Sequence, residues 1–236
     1  MNVGLDLSGK TALITGATRG IGKAIADAFM DSGANLMLTG TKSEEIEQRN
    51  AEEKNSKVQW LKADFSSPVG IASFIKHLKL TDAIDICVNN AGINIIKPYA
   101  EYSIDEYHCL MSINLTAPFS ITQQLIPGMK KRGFGRIVNI ASIWSKISKP
   151  GRSLYTMSKT GLIGFTRSLA VEHAAANILV NAVSPGFTRT ELTAQSLSAD
   201  EIKTLSDQIP VQRFAEPNEI AETVLFLCSD LNTYIT

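Results

Sequence analysis

Tyr155 and Lys159 stand four residues apart at the start of a segment of helical period, which places both side chains on one face of the helix. The pairing has a defined chemical use. A phenol with a pKa of about 10 is a poor acid or base at neutral pH unless a neighbouring cation stabilises its phenolate. A lysine one turn away can supply that cation. Alone, a Tyr–Lys pair at this spacing also fits a solvated helix, and Ser142 alone fits a routine serine at a strand end.

A second constellation lies near the N-terminus, where Thr15-Gly16-Ala17-Thr18-Arg19-Gly20-Ile21-Gly22 follows an apolar run and opens a long helical segment. Glycines there permit a tight turn and close approach of the backbone to a pyrophosphate. The helix N-terminus offers free N–H groups and a positive dipole end to the phosphates. The order G-x-x-x-G-x-G departs from the commoner G-x-G-x-x-G, so position between strand and helix carries the reading. After the second apolar run, NAD-preferring dinucleotide folds place an acid for the adenosine ribose. Gly40 stands there instead, followed by Thr41, Lys42 and Ser43, with Arg19 in the glycine loop. A missing carboxylate and two cations favour a 2′-phosphate, hence NADP(H), with NAD(H) as the alternative.

These residues need elements to hold them. Short runs rich in Val, Ile and Leu occur at 11–15, 35–39, 58–62, 84–89, 136–141 and 178–184, as expected of strands covered on both faces. Helical patterns fall between them at about 20–32, 43–54, 68–79, 103–131 and 153–175, with another near 217–228. Such alternation predicts an α/β fold: one doubly wound parallel sheet of Rossmann type, with right-handed crossovers and helices on both faces. A single domain over 1–236 accounts for all of it. The polar, strandless stretch at about 187–214 interrupts the rhythm and reads as a substrate lid.

Composition narrows the partners. Twenty-three basic residues balance twenty-three acidic ones for a net charge of +0, which leaves no footprint for nucleic acid or an anionic membrane. Lys130, Lys131, Arg132 and Arg136 cluster as a solvated helix end would. No run of eighteen apolar residues offers a membrane span, and none near the start offers a signal peptide. Cys87, Cys109 and Cys228 are odd in number and far apart, an arrangement that suits reduced thiols in a cytoplasmic protein better than a metal site or disulfide framework.

Taken together, the motifs resemble those of the short-chain dehydrogenase/reductase family: the glycine turn at 15–22, Asn89-Asn90-Ala91-Gly92 after the fourth strand, Asn114 within Ile113-Asn114-Leu115, Ser142 after the fifth strand, Tyr155-x-x-x-Lys159, and Pro185-Gly186 with Thr188 after the sixth. The resemblance implies a nicotinamide-dependent oxidoreductase acting on a carbonyl or alcohol. Tyr155 would donate or remove the proton, and Ser142 would bind the substrate oxygen. Lys159 would lower the tyrosine pKa and hold the nicotinamide ribose. Asn114 would hold a water that relays protons from the lysine. Asp64 would contact the adenine amino group, with Asn90, Ala91 and Gly92 beside the adenosine ribose and Pro185, Gly186 and Thr188 on the nicotinamide side.

Within the family the chain is most similar to the 3-oxoacyl-[acyl-carrier-protein] reductase branch, which implies a 3-oxoacyl thioester reduced by NADPH, with the substrate carried on a carrier protein. Two residues depart from that branch: Val171 stands where a docking arginine is common, and Trp144 where small residues are usual. A sugar, polyol or nucleotide-sugar dehydrogenase of the same fold is the second expectation, and a catalytically silent dinucleotide-binding subunit the third. The resemblance also implies a homotetramer or homodimer built on the segments 103–131 and 153–175, and a further strand following residue 236.

Overall fold

The computed structural model describes residues 5–79, 84–191, 193 and 198–236. Six parallel strands form one sheet: β1 (Thr11–Ile14), β2 (Asn35–Gly40), β3 (Val58–Lys62), β4 (Ile86–Asn89), β5 (Gly135–Ile140) and β6 (Ile178–Val183). Their order is β3-β2-β1-β4-β5-β6, the doubly wound arrangement in which the chain reverses direction across the sheet between β1 and β4. The helices are α1 (Gly20–Asp31), α2 (Ser43–Glu52), α3 (Pro68–Leu78), α4 (Ile104–Met111), α5 (Ala117–Arg132), α6 (Ser153–His173), α7 (Ala199–Asp207) and α8 (Pro217–Cys228).

Strand side chains alternate between two apolar layers, as the pleat requires. Ala12, Ile14, Leu36, Leu38, Ile86, Val88, Val138 and Ile140 pack on α1 and α8 through Ile25, Phe29, Val224 and Leu225. Leu13, Met37, Cys87 and Ile137 face the other way, onto Phe74 of α3 and Ile121, Leu125 and Met129 of α5. Local signals agree with these boundaries. Ser67 caps α3 through the Gly70 amide with Pro68 following, Ser103 and Glu106 form a capping box on α4, and α5 stops at Gly133 in the left-handed region (φ 66°).

Two features differ from the sequence reading. The helix expected over 103–131 is interrupted by a π-helical turn at Ser112–Thr116. Pro118 explains it: proline has no N–H to give the carbonyl four residues back, which is that of Asn114. The stretch at 187–214 contains α7, opened by a capping box of Ser198 and Glu201. Its ends are tied together, with the Ala215 amide donating to the Phe187 carbonyl at 2.9 Å and the Arg189 amide to Ala215 at 2.8 Å. Residues 192 and 194–197 of this stretch lie outside the described residues.

A polar ladder crosses the core beneath the strand ends. Asn89 donates to Asn139 at 2.8 Å, Asn139 donates to Thr166 of α6 at 2.9 Å, and Thr166 donates to the Leu162 carbonyl at 2.8 Å. Asn139 is fully buried. Asn139→Ala takes the nearer acceptor from the Asn89 amide, which keeps Thr122 at 3.4 Å, and one of two partners from the Thr166 hydroxyl, at about 1–3 kcal/mol. Urea denaturation is expected to show that loss as a lower midpoint with an unchanged slope.

Candidate active site

The C-terminal ends of the strands open on a cleft of about 540 Å³, at the point where the strand order reverses and such folds bind ligands. Its floor begins with the glycine turn. Gly16 takes φ +66°, and a Cβ there would stand 2.9 Å from the Ala91 Cα; on Gly22 it would stand 2.2 Å from the Gly16 carbonyl oxygen. Asn90 fixes the turn from β4, donating to the carbonyls of Thr15 and Gly16 at 3.0 and 2.9 Å, and the Thr39 hydroxyl accepts from the Gly16 amide at 3.0 Å. No side chain caps the start of α1, so its first amides are free for an anion. Backbone packed this closely with an uncapped helix end fits a dinucleotide pyrophosphate.

Gly40 accounts for the missing acid at the end of β2. A Cβ there would lie 2.6 Å from the Thr18 methyl and 2.7 Å from Ile46, so a carboxylate side chain would require both to give way. Thr41 and Arg19 are exposed and line the cleft; Lys42 is exposed but does not line it. Of the two cations expected at the 2′-phosphate, the structure therefore places Arg19 in the cleft. Arg49, which sequence reasoning passed over, grips the Thr18 carbonyl at 3.1 Å and braces the loop. Asp64 lines the adenosine end while its carboxylate accepts from the Ser66 amide at 2.9 Å, serving also as a turn residue. Thr18, Gly20, Ile21, Ala91, Gly92, Pro185, Gly186 and Thr188 complete the lining.

Ser142, Tyr155 and Lys159 meet at the centre of the cleft. Ser142 sits just past β5, and its hydroxyl accepts from the Trp144 amide at 3.3 Å. Lys159 is buried and donates to the Ile140 carbonyl at 2.7 Å; burial brings its pKa down to about 8. Asn114 lies behind the lining on the π-helical turn, exchanging bonds with the Ile93 amide and carbonyl at 2.9 Å each and donating to Ser158 at 3.1 Å. Gly92 separates it from the lysine: a Cβ there would sit 3.4 Å from both the Asn114 Oδ1 and the Lys159 Nζ.

Burial pushes the Tyr155 phenol above its ordinary pKa, against the pull of the Ser142 hydrogen bond and then of the Arg152 charge. The spacing argument named Lys159 for that pull. In the structure its ammonium is 5.7 Å from the Tyr155 ring centroid and bonded to the β5 carbonyl, and Arg152 is a second cation near enough to pull the phenol down. Arg152 and Lys149 were not singled out from the sequence, although Arg152 precedes Tyr155 by three residues at the start of the same helix. Trp144 forms one wall, edge-on to Phe187 at 6.2 Å, and Phe187 stacks on Phe214 at 5.2 Å. Among the described residues no cluster of His, Cys, Asp and Glu could hold a metal ion, and no helix is long and apolar enough to cross a membrane.

Known proteins of similar fold and sequence give this geometry a context. A family model described as enoyl-(acyl carrier protein) reductase matches residues 16–236. The 3-oxoacyl-[acyl-carrier-protein] reductase FabG of Aquifex aeolicus is 42% identical over 237 residues, covering 98% of this chain and 95% of that protein. The 3alpha-hydroxysteroid dehydrogenase of Mediterraneibacter gnavus is 37% identical over 235 residues, covering 98% and 94%. A gluconate 5-dehydrogenase from Burkholderia cenocepacia, solved in complex with NADP and tartrate, superposes with a TM-score of 0.89 at 28% identity, covering 98% of this chain and 92% of that one.

The buried lysine has a consequence for stability. Its folded-state pKa of about 8 lies below the ordinary 10.5, so between those values the unfolded chain holds more protons and stability rises with pH. Below pH 8 the full penalty applies. Lys159→Met should therefore stabilise the cofactor-free chain at pH 7 by ~1–3 kcal/mol, after allowance for the lost bond to Ile140. Its advantage should shrink as the pH is raised from 8 towards 10.5. Urea titrations of both proteins at three pH values across that interval check the sign.

Proposed function

The chain belongs to the short-chain dehydrogenase/reductase family and is an NAD(P)-dependent oxidoreductase, and from that premise we propose that it interconverts a ketone and a secondary alcohol through Tyr155, Ser142 and Lys159. One observation carries the reading: a tyrosine, a serine and a buried lysine line the same cleft as a close-packed glycine turn that opens an uncapped helix. When bound, the nicotinamide supplies or takes up the hydride. The chain's own residues handle the oxygen and its proton. The Tyr155 hydroxyl gives its proton to the carbonyl oxygen in reduction, while the Ser142 hydroxyl donates to that oxygen and stabilises the charge gathering on it. The Lys159 ammonium holds the nicotinamide ribose hydroxyls and keeps the positive potential beside the phenol. Asn114, on a turn where Pro118 removes a helical bond to its carbonyl, is the place for a water linking the lysine to solvent.

NADP(H) is the proposed cofactor, supported by the crowding that an acid would meet at Gly40 and by Arg19 in the cleft. For the substrate, the 42% identity to a 3-oxoacyl-[acyl-carrier-protein] reductase supports a 3-oxoacyl thioester. A polyhydroxy substrate is the second reading, supported by the Trp144–Phe187 wall and the likeness to a gluconate 5-dehydrogenase. Val171, 88% exposed on α6, offers no charge to an acidic carrier protein. The stretch at 187–214 acts as the lid, with Leu205 of α7 already lining the cleft. Assembly as a homotetramer or homodimer would cover the exposed Phe119 of α5 and the exposed Met157 and Val171 of α6.

Tyr155→Phe is expected to lower kcat by about 10²–10⁴-fold while NADPH still binds. A variant that turns over near the parental rate would remove the proposed proton donor. For the cofactor, kcat/KM should be higher with NADPH than with NADH, and Arg19→Ala should reduce the NADPH value by about tenfold with little effect on NADH. A parental preference for NADH would overturn the assignment.

A further inference from the structure

The substrate half of the cleft contains two cations that the fold does not neutralise. Arg152 and Lys149 both line it, each over the face of Trp144, with the guanidinium carbon 5.4 Å and the ammonium 5.6 Å from a ring centroid. The Nε of Arg152 is buried and has no hydrogen-bond partner. Neither cation forms an ion pair among the described residues, whereas Arg189 is paired with Glu216 and Arg213 with Glu219. Residues 192 and 194–197 carry no acidic side chain. The carboxylates in the cleft lining are Asp64, at the adenosine end, and Glu191, which is exposed and bonded to neither cation.

Arg152 is not placed there by accident of a loose loop. The Tyr102 hydroxyl donates to the carbonyls of Ile95 at 2.8 Å and Gly151 at 3.1 Å, fastening the loop before α6 to the one after β4. Gly151 adopts φ +78°, and a Cβ there would stand 3.1 Å from Ile96. The guanidinium is thereby held next to Tyr155, close enough that each influences the other's ionisation. Arg152 is half-buried and Lys149 exposed; a guanidinium drawn partly out of water without a carboxylate is unfavourable, and its planar donors match a two-oxygen anion.

We propose that Arg152, with Lys149 beside it, forms a subsite for a carboxylate of the substrate, so that the preferred substrate is an oxo acid or hydroxy acid whose carbonyl or hydroxyl lies a few bonds from the acid group. The carboxylate takes the place of the missing protein counter-charge, and Trp144 forms the apolar wall beside it. The inference rests on the oxidoreductase reading for its reaction but not for its binding. Within that reading it selects the acid-bearing class over a neutral thioester, which would leave both cations unpaired.

Two measurements on the full chain test it. In the first, malonate is titrated calorimetrically into the NADP-loaded protein, for the parent and for Arg152→Gln and Arg152→Lys. Saturable binding that weakens at least tenfold in R152Q and is partly recovered in R152K is the expected result. In the second, reduction of 3-oxobutanoate is compared with that of its methyl ester. The acid should exceed the ester at least tenfold in kcat/KM, and that ratio should fall at least tenfold in R152Q. Absent malonate binding, binding unchanged in R152Q, or equal use of acid and ester overturns the subsite. Turnover without acid preference removes the subsite and leaves the oxidoreductase reading standing. Arg152-dependent malonate binding without turnover of either compound does the reverse.

Discussion

A positive charge held out of water is the constraint on which the rest of the site depends. The Lys159 ammonium is buried at the end of β5, with the Ile140 carbonyl as its acceptor and no carboxylate among the described residues paired with it. Such a group destabilises the folded chain, so the surroundings have to be arranged to tolerate it. Gly92 leaves space against the amine, Asn114 spends its side-chain amide on the Ile93 backbone and Ser158, and the Asn89–Asn139–Thr166 ladder ties the two strands and the helix that converge there. Stability is given up at this point in exchange for a cation that ligand oxygens can approach.

The same logic extends along the cleft and modifies what overall composition suggests. Twenty-three positive and twenty-three negative side chains cancel over the whole chain, yet the cleft lining gathers Arg19, Lys149, Arg152 and Lys159 against Asp64 and Glu191. Several lysines and arginines elsewhere are paired: Lys23 with Asp27, Arg49 with Glu45, Lys97 with Glu106, Arg132 with Asp85. A neutral total therefore coexists with a groove that concentrates positive potential, where low-dielectric walls strengthen it. That distribution suits a ligand with phosphates at one end and a carboxylate at the other.

Much of this was legible in the chain before any coordinates. The six apolar runs coincide with the six strands to within two residues at each end, because strands covered on both faces must be apolar throughout. The glycine turn was readable since its glycines are required by contact: Gly22 against the Gly16 carbonyl, Gly16 against Ala91. Features decided by tertiary contact were less visible. Lys42 and Arg19 look equivalent as charges near a strand end, and only the path of the loop puts Arg19 in the cleft and Lys42 outside it. Helix α7 was missed because its sequence is polar and its capping box at Ser198 and Glu201 was overlooked. Arg152 escaped notice because its meaning lies in what it lacks, an acidic partner, and that can be read only from the surroundings.

Tyr155 shows how those surroundings act on the residue proposed to carry the proton. Its spacing to Lys159 suggests a phenol made more acidic by the lysine. Burial acts in the opposite sense and raises the phenol above its ordinary pKa, against the Ser142 hydrogen bond and then the Arg152 charge. A protonated hydroxyl beside Ser142 is an acid awaiting a carbonyl oxygen, and this is the form that reduction needs. An anionic group seated at Arg152 would cancel one of the two influences holding the phenol down and push it further in the same direction. With the proposed subsite filled, substrate binding and the proton on Tyr155 would thus be coupled through one guanidinium.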